Sequence, residues 1–200
     1  MIHSIINFPT YSGTRCLMMP YTQGDPDSLP REYHAYADII ASTYLQKGDI
    51  GYLTIDESVT TPGTPHRGTR SKHRRALHTE AGRLPDGVNN WGGGVWGGRA
   101  TVRLEDDVEV LLASNISDTC AVWEAEHPDT TLDGDIGHLA DDYPYDLATL
   151  LKAGEVARIG IFTPHESLPI KTAKRRQFLR IVSSGIHGRE PYFTINPLMN

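Results

Sequence analysis

Two short patterns in this 200-residue chain have the residue types and spacing for chemistry. The first is His78-Thr79-Glu80. In an extended segment residues i and i+2 point to the same side, so an imidazole and a carboxylate converge on one point. The second is His165, within Thr163-Pro164-His165-Glu166-Ser167-Leu168-Pro169. It continues an apolar alternation, Ala157, Ile159 and Ile161, that carries through Thr163 and brings His165 to the inward face. Two imidazoles and one carboxylate on one face, with open positions opposite, form the arrangement that holds non-haem Fe(II). Arg176 and Arg180 follow His165 by 11 and 15 residues and share a strand face with Phe178. A guanidinium fork beside a metal can hold a carboxylate in bidentate fashion, as the far end of a 2-oxo acid co-substrate requires.

Other ligand sets compete. His127-Pro128-Asp129 repeats the His-x-acid pattern 38 residues before His165, and His138 could complete a four-ligand set with His78, Glu80 and His165. The phosphate-binding GxxxxGK[ST] loop, the GxSxG elbow and HExxH are absent, and no GxGxxG opens a helix after a strand. The stretch Trp91-Gly92-Gly93-Gly94-Val95-Trp96-Gly97-Gly98 reads as a bulged, Gly-rich strand. Its rings, with Trp91 and Trp96 as candidate substrate contacts, line a pocket mouth. Arg75 closes a basic run with Arg67, Arg70, Lys72 and Arg74, and is a third candidate substrate contact.

The elements that must position these residues are mostly strands. Gly51–Asp56, Ala76–Glu80, Ala100–Glu105, Val108–Ala113, Cys120–Trp123, Val156–Thr163 and Gln177–Ser183 carry strand signals. One helix is predicted over Pro30–Lys47, capped by Asp27 or Ser28, and a short one over Tyr145–Lys152. Without βαβ alternation, short strands and Gly-rich turns favour a sandwich or jelly roll over a doubly wound sheet. The length fits a single domain, residues 1–200, with a helical flank at about 30–48.

Charge is uneven. Leu104 to Leu151 holds 13 acids and no Lys or Arg, within a net charge of -6. An acidic chain repels phosphate at long range, so nucleic acid is an unfavoured partner. No run of about 18 apolar residues exists to span a membrane. The start, MIHSIINFPTYSG, lacks the basic and apolar regions of a secretory leader. Cys16 and Cys120 form no metal-type pair; free, buried thiols in a reducing compartment are expected.

The order His-x-acid, long gap, His, then Arg resembles that of the Fe(II)/2-oxoglutarate-dependent oxygenases. The series LTIDE, HTE, WGGG-WGG, TPHESLP and R-Q-F-x-R is also similar to uncharacterised viral and microbial proteins. The resemblance implies a double-stranded β-helix, a jelly-roll or cupin-like fold that is mainly β with flanking helices. It implies Fe(II) on His78, Glu80 and His165, 2-oxoglutarate on Arg176 with help from Arg180, and hydroxylation of an unnamed substrate. It departs from the commoner pattern in carrying Glu80 where Asp is usual. A cytoplasmic site of action follows, the host cytoplasm for a viral protein. The competing expectations are a non-catalytic jelly-roll or cupin-like binding module, a viral accessory component, or a nucleic-acid accessory protein.

Overall fold

The computed structural model describes residues 1–65, 75–83, 89–91, 101–102, 108–127, 134–183 and 193–199. Arg67, Arg70, Lys72, Arg74, Trp96 and Asp129 lie outside the described residues. The strands are β1 (Ile2–Ile5), β2 (Arg15–Thr22), β3 (Ile50–Val59), β4 (Ala81–Arg83), β5 (Asn89–Trp91) and β6 (Thr101–Val102). They continue with β7 (Glu109–Ser114), β8 (Cys120–Val122), β9 (Thr149–Leu150), β10 (Glu155–Gly160), β11 (His165–Ser167) and β12 (Arg175–Val182). The α-helix is α1, Ala37–Ser42.

The protein is mainly β, as its sequence indicates. A six-stranded antiparallel sheet runs β1-β10-β7-β12-β3-β2, and a three-stranded sheet runs β11-β8-β9. A third, β4-β5-β6, continues from the His78 segment. The chain passes back and forth between the six-stranded sheet and the β11-β8-β9 sheet, and β12 lies between strands far apart in sequence. It pairs with β3 from Arg175↔Val59 to Val182↔Tyr52, and with β7 from Phe178↔Ser114 to Val182↔Val110.

β12 is buried from Arg176 to Val182, and both its apolar residues and its polar Arg176, Gln177 and Arg180 are enclosed. Leu179 and Ile181 join Leu53, Ile55, Leu111 and Val156 on the outer face, under Tyr33, Tyr36, Ile39 and Ile40. Phe178 and Val182 join Val110, Leu112, Ala157 and Ile159 on the inner face, against Val122 of the small sheet. Arg176 and Arg180 share that inner face by alternation.

Three element expectations need correction. The single helix over Pro30–Lys47 is a 3-10 turn at Arg31–Tyr36 followed by the short α1. It stops because the buried Gln23 side chain accepts from the amides of Leu45 and Gln46, which draws the backbone out of the helix. Neither Asp27 nor Ser28 caps it: Pro30 holds the N-cap position without a side-chain bond, and Asp25 caps the turn before. The helix expected over Tyr145–Lys152 ends at Leu147, and Thr149–Leu150 pairs with β8 instead. No disulfide forms; Cys16 is buried and Cys120 half-buried. Among the described residues no helix is long and apolar enough to cross a membrane.

On the outer face Glu57 anchors the N-terminal loop. Its Oε2 accepts from the amides of Ser12 and Gly13 at 2.6 Å and of Thr14 at 3.0 Å. Its Oε1 accepts from Tyr36 Oη at 2.8 Å and Gln177 Nε2 at 2.9 Å. Burial opposes ionisation, but the bonds from Gln177, Ser12, Tyr36 and Thr14 outweigh it and lower the Glu57 pKa. A depressed folded pKa adds stability that is complete above the unfolded value and is lost as pH falls through the folded one. Thermal melts from about pH 6 down to about pH 3 should show wild type losing stability more steeply than Glu57→Gln. At neutral pH that variant should be less stable by about 1–3 kcal/mol; parallel melting curves would remove Glu57 from this role.

Candidate functional site

The site begins with backbone pairing. His78 N–H donates to His165 O at 3.0 Å, and His165 N–H returns a bond to His78 O at 2.9 Å. Glu80 N–H donates to Ile161 O at 2.9 Å. On the other flank Thr79 N–H donates to Gly134 O at 2.9 Å and Ile136 N–H to Leu77 O at 3.2 Å. Residues 77–80 are thus threaded between 134–136 and 161–165, and extend the small sheet beside β11. Gly134 permits this approach: its φ is +68° and a Cβ there would lie 2.3 Å from Thr79 O.

Directly paired residues project to the same side of a sheet, and so do i and i+2. His78, Glu80 and His165 therefore share one face, as their spacing indicates. For His165 the route differs from the expected one. β10 ends at Gly160 in the large sheet, the chain turns where Thr163 N–H bonds Gly160 O, and β11 starts afresh in the small sheet. His165 still faces inward, 4% exposed.

The two rings lie with centroids 4.2 Å apart. Nδ1 of His78 is 2.7 Å from Ala76 O, and Nδ1 of His165 is 2.9 Å from Thr163 O. A carbonyl only accepts, so each neutral ring carries its proton on Nδ1 and keeps Nε2 as the basic nitrogen. His165 Nε2 is buried, makes no hydrogen bond, and lies 3.5 Å from Glu80 Oε1. Both imidazoles are thus oriented by backbone carbonyls through Nδ1.

Glu80 also meets a cation. Arg180, fully buried, places Nη1 3.2 Å from Oε1 and 3.1 Å from Oε2 of Glu80. Its Nη2 lies 3.1 Å from Met18 Sδ. Arg180, expected to assist a co-substrate carboxylate, is thus engaged by a carboxylate of the protein. Among the described residues no three His, Cys, Asp or Glu side chains are gathered around one point closely enough to hold a metal ion.

Arg176 is different. It is 2% exposed, its Nε donates to Ser114 Oγ at 3.1 Å, and its Nη1 is buried without a hydrogen-bond partner. Burial lowers its pKa to about 10, against the opposing fields of Cys120 and Asp56. A buried guanidinium with an unmet donor calls for an anion. It lies four residues from Arg180 on the same strand face, about 13 Å along β12.

Arg75 is committed to the protein itself. Its Nε and Nη2 lie 2.9 Å from Glu166 Oε2, and its Nη1 donates to Ala140 O and Tyr143 O at 2.7 and 2.8 Å. Its guanidinium lies 4.1 Å from the Tyr145 ring centroid and 5.3 Å from that of Trp123. Glu166 Oε1 also accepts from Ala76 N–H at 3.2 Å, two residues before His78. This clamp fixes the approach of the segment that carries His78. Sequence reasoning missed Glu166, Tyr145 and Trp123 here; the signal was Glu166 itself, opposite in phase to His165 and so able to pair on the other face.

The remaining candidates lie elsewhere. His127 bonds through its amide to Phe162 O at 2.8 Å and sets its ring 6.2 Å from that of Tyr143. His138 lines an open cleft of about 570 Å³ with Arg75, Asp141 and Tyr145. Trp91 ends β5. Comparison with protein families, with characterised proteins and with solved structures returns no match.

Glu80→Gln removes this carboxylate from Arg180 and should cost about 3–5 kcal/mol in urea unfolding. The double variant Glu80→Gln/Arg180→Met should recover much of that loss, because it removes both charges. Simple additivity would show that the pair is not coupled.

Proposed function

We propose that this protein is a non-haem Fe(II)- and 2-oxoglutarate-dependent oxygenase built on a double-stranded β-helix. The observation that carries the reading is the bridge that sets His78 beside His165, with basic Nε2 atoms, 3.5 Å from a Glu80 oxygen at the nearer ring. The interleaved strands support the fold. β3, β7, β10 and β12 build the large sheet while residues 77–80, β8, β9 and β11 build the small one. That path explains how ligands 87 residues apart become neighbours.

His78, His165 and Glu80 would hold the metal, and Arg176 the far carboxylate of the 2-oxo acid. The metal, when bound, supplies the redox chemistry by which O₂ and a 2-oxo acid oxidise a C–H bond. The protein orients both imidazoles through Ala76 and Thr163 and presents one unmet guanidinium donor. The substrate is an unidentified small molecule or macromolecule.

A second reading, a cupin-like module without oxygenase activity, is favoured by one observation, the engagement of Glu80 by Arg180.

Anaerobic addition of Fe(II) and 2-oxoglutarate should give a weak visible charge-transfer band, and admission of O₂ should release succinate. Both should vanish in His165→Ala. Arg176→Met should leave metal binding intact and weaken 2-oxoglutarate by at least about tenfold. Metal uptake with neither band nor succinate would favour the cupin-like module.

A further inference from the structure

Two enclosed side chains on the facing sheets keep an unmet hydrogen-bonding atom. Arg176 is 2% exposed and Ser167 9%, and Arg176 Nη1 and Ser167 Oγ are buried without a hydrogen-bond partner. On the same inner side the fold sets a thiol. We propose that Cys120 is a modification site, oxidised by hydroperoxides, and that Arg176 and Ser167 hold its oxidised sulfur. The inference is independent of the metal-site reading.

Three observations carry it. First, Cys120 and Ser167 are directly paired across β8 and β11, as Val122 and His165 are, so thiol and hydroxyl project to the same side. Second, Cys120 packs against the inner apolar cluster that contains Phe178, and the Arg176 guanidinium stands 5.3 Å from the centroid of that ring. The guanidinium and the thiol therefore border the same cluster. Third, Cys120 is half-buried where Arg176 and Ser167 are enclosed, which leaves the sulfur open to a small reagent.

Electrostatics agrees with this placement. Of the negative charges acting on Arg176, that of Cys120 comes before that of Asp56. The attraction is mutual, and a guanidinium near a thiol favours the thiolate, which is the nucleophilic form. Cys16 is the opposite case. It is buried in the outer cluster, its Sγ donates to Leu53 O at 3.6 Å, and burial pushes its thiol up to about 12.

The oxidant is a hydroperoxide. The Cys120 thiolate attacks the terminal peroxide oxygen; an S–O bond forms and the O–O bond breaks. The OH group passes to sulfur, and the leaving alkoxide, or hydroxide from hydrogen peroxide, takes a proton from solvent. Sulfur gives up two electrons and the peroxide accepts them. The sulfenic acid oxygen then accepts from Arg176 Nη1 and Ser167 Oγ, and a second equivalent of peroxide gives the anionic sulfinate. Oxygen placed here meets two donors that were unmet, so oxidation stabilises the fold. Oxidation that only forces a polar group into an apolar interior destabilises it.

The test exposes the protein to hydrogen peroxide in the presence of a metal chelator and dimedone, which traps sulfenic acids. Peptide masses should place the adduct on Cys120 at least about tenfold faster than on Cys16. Arg176→Gln keeps a donor but removes the charge, and should slow labelling of Cys120 several-fold. Without dimedone, excess peroxide should carry Cys120 to the sulfinate, and this form should melt higher than the reduced protein. Cys120→Ser, treated in parallel, accounts for oxidised methionines.

An unlabelled Cys120, or equal labelling of the two cysteines, overturns the proposal. So does labelling of folded Arg176→Gln at the wild-type rate. A sulfinate form that melts at or below the reduced protein also overturns it, and that comparison needs no arginine variant to fold.

Discussion

The exchange of backbone hydrogen bonds between His78 and His165 is the constraint on which the site depends. Side chains alternate along an extended chain, so a slip of one residue would turn His78 and Glu80 away and present Thr79 instead. The register is held from both sides. Thr79 and Leu77 bond to residues 134–136, where only a glycine at position 134 lets the strands meet. Glu166 holds Arg75 and the Ala76 amide just upstream. Because His165 and Glu166 project to opposite faces of β11, one short strand supplies an inward imidazole and an outward anchor for the strand that pairs with it.

The two faces of the large sheet treat buried charge differently. On the outer face Glu57 is surrounded by donors from three amides, a tyrosine and a glutamine, and its ionised form is stabilised beyond the cost of burial. That arrangement is complete and leaves nothing for a ligand. On the inner face Arg176 has one bond to Ser114 and a buried donor with none. Leaving such a group unmet costs about 1–3 kcal/mol or more, which is a reason to expect the interior to receive an anion. The contrast separates a carboxylate that secures a loop from a guanidinium with an unmet donor, although both are buried and both belong to the same sheet.

Much of the site was legible because it rests on period two. The common side of His78 and Glu80 and the common face of Arg176, Phe178 and Arg180 follow from alternation, whereas His165 takes its direction from the fresh start of β11 and not from alternation along β10. The mainly β character was legible from the density of short strand signals. What alternation does not carry is which strand lies opposite. Arg180 and Glu80 are 100 residues apart and belong to different sheets, so nothing local indicates their contact. β1 and β2 escaped because their apolar residues read as scattered, and β2 also bulges at Met18. The helix after Pro30 was overestimated for a similar reason: its tyrosine and isoleucine spacing is helical, but a distant glutamine side chain captures the backbone beyond Thr43.

The charge runs misdirected attention in an instructive way. Of the basic run, Arg75 is described, and its donors and its ring contacts are turned to the protein rather than to a partner. The two buried arginines of the interior, Arg176 and Arg180, lie on β12, far from that run in sequence. A buried ion pair adds little net stability over a well-packed apolar pair of similar volume. Folding alone therefore gives no reason for Glu80 and Arg180 to meet in the core. They meet beside two imidazoles whose orientation the backbone sets, with Glu80 Oε1 3.5 Å from His165 Nε2.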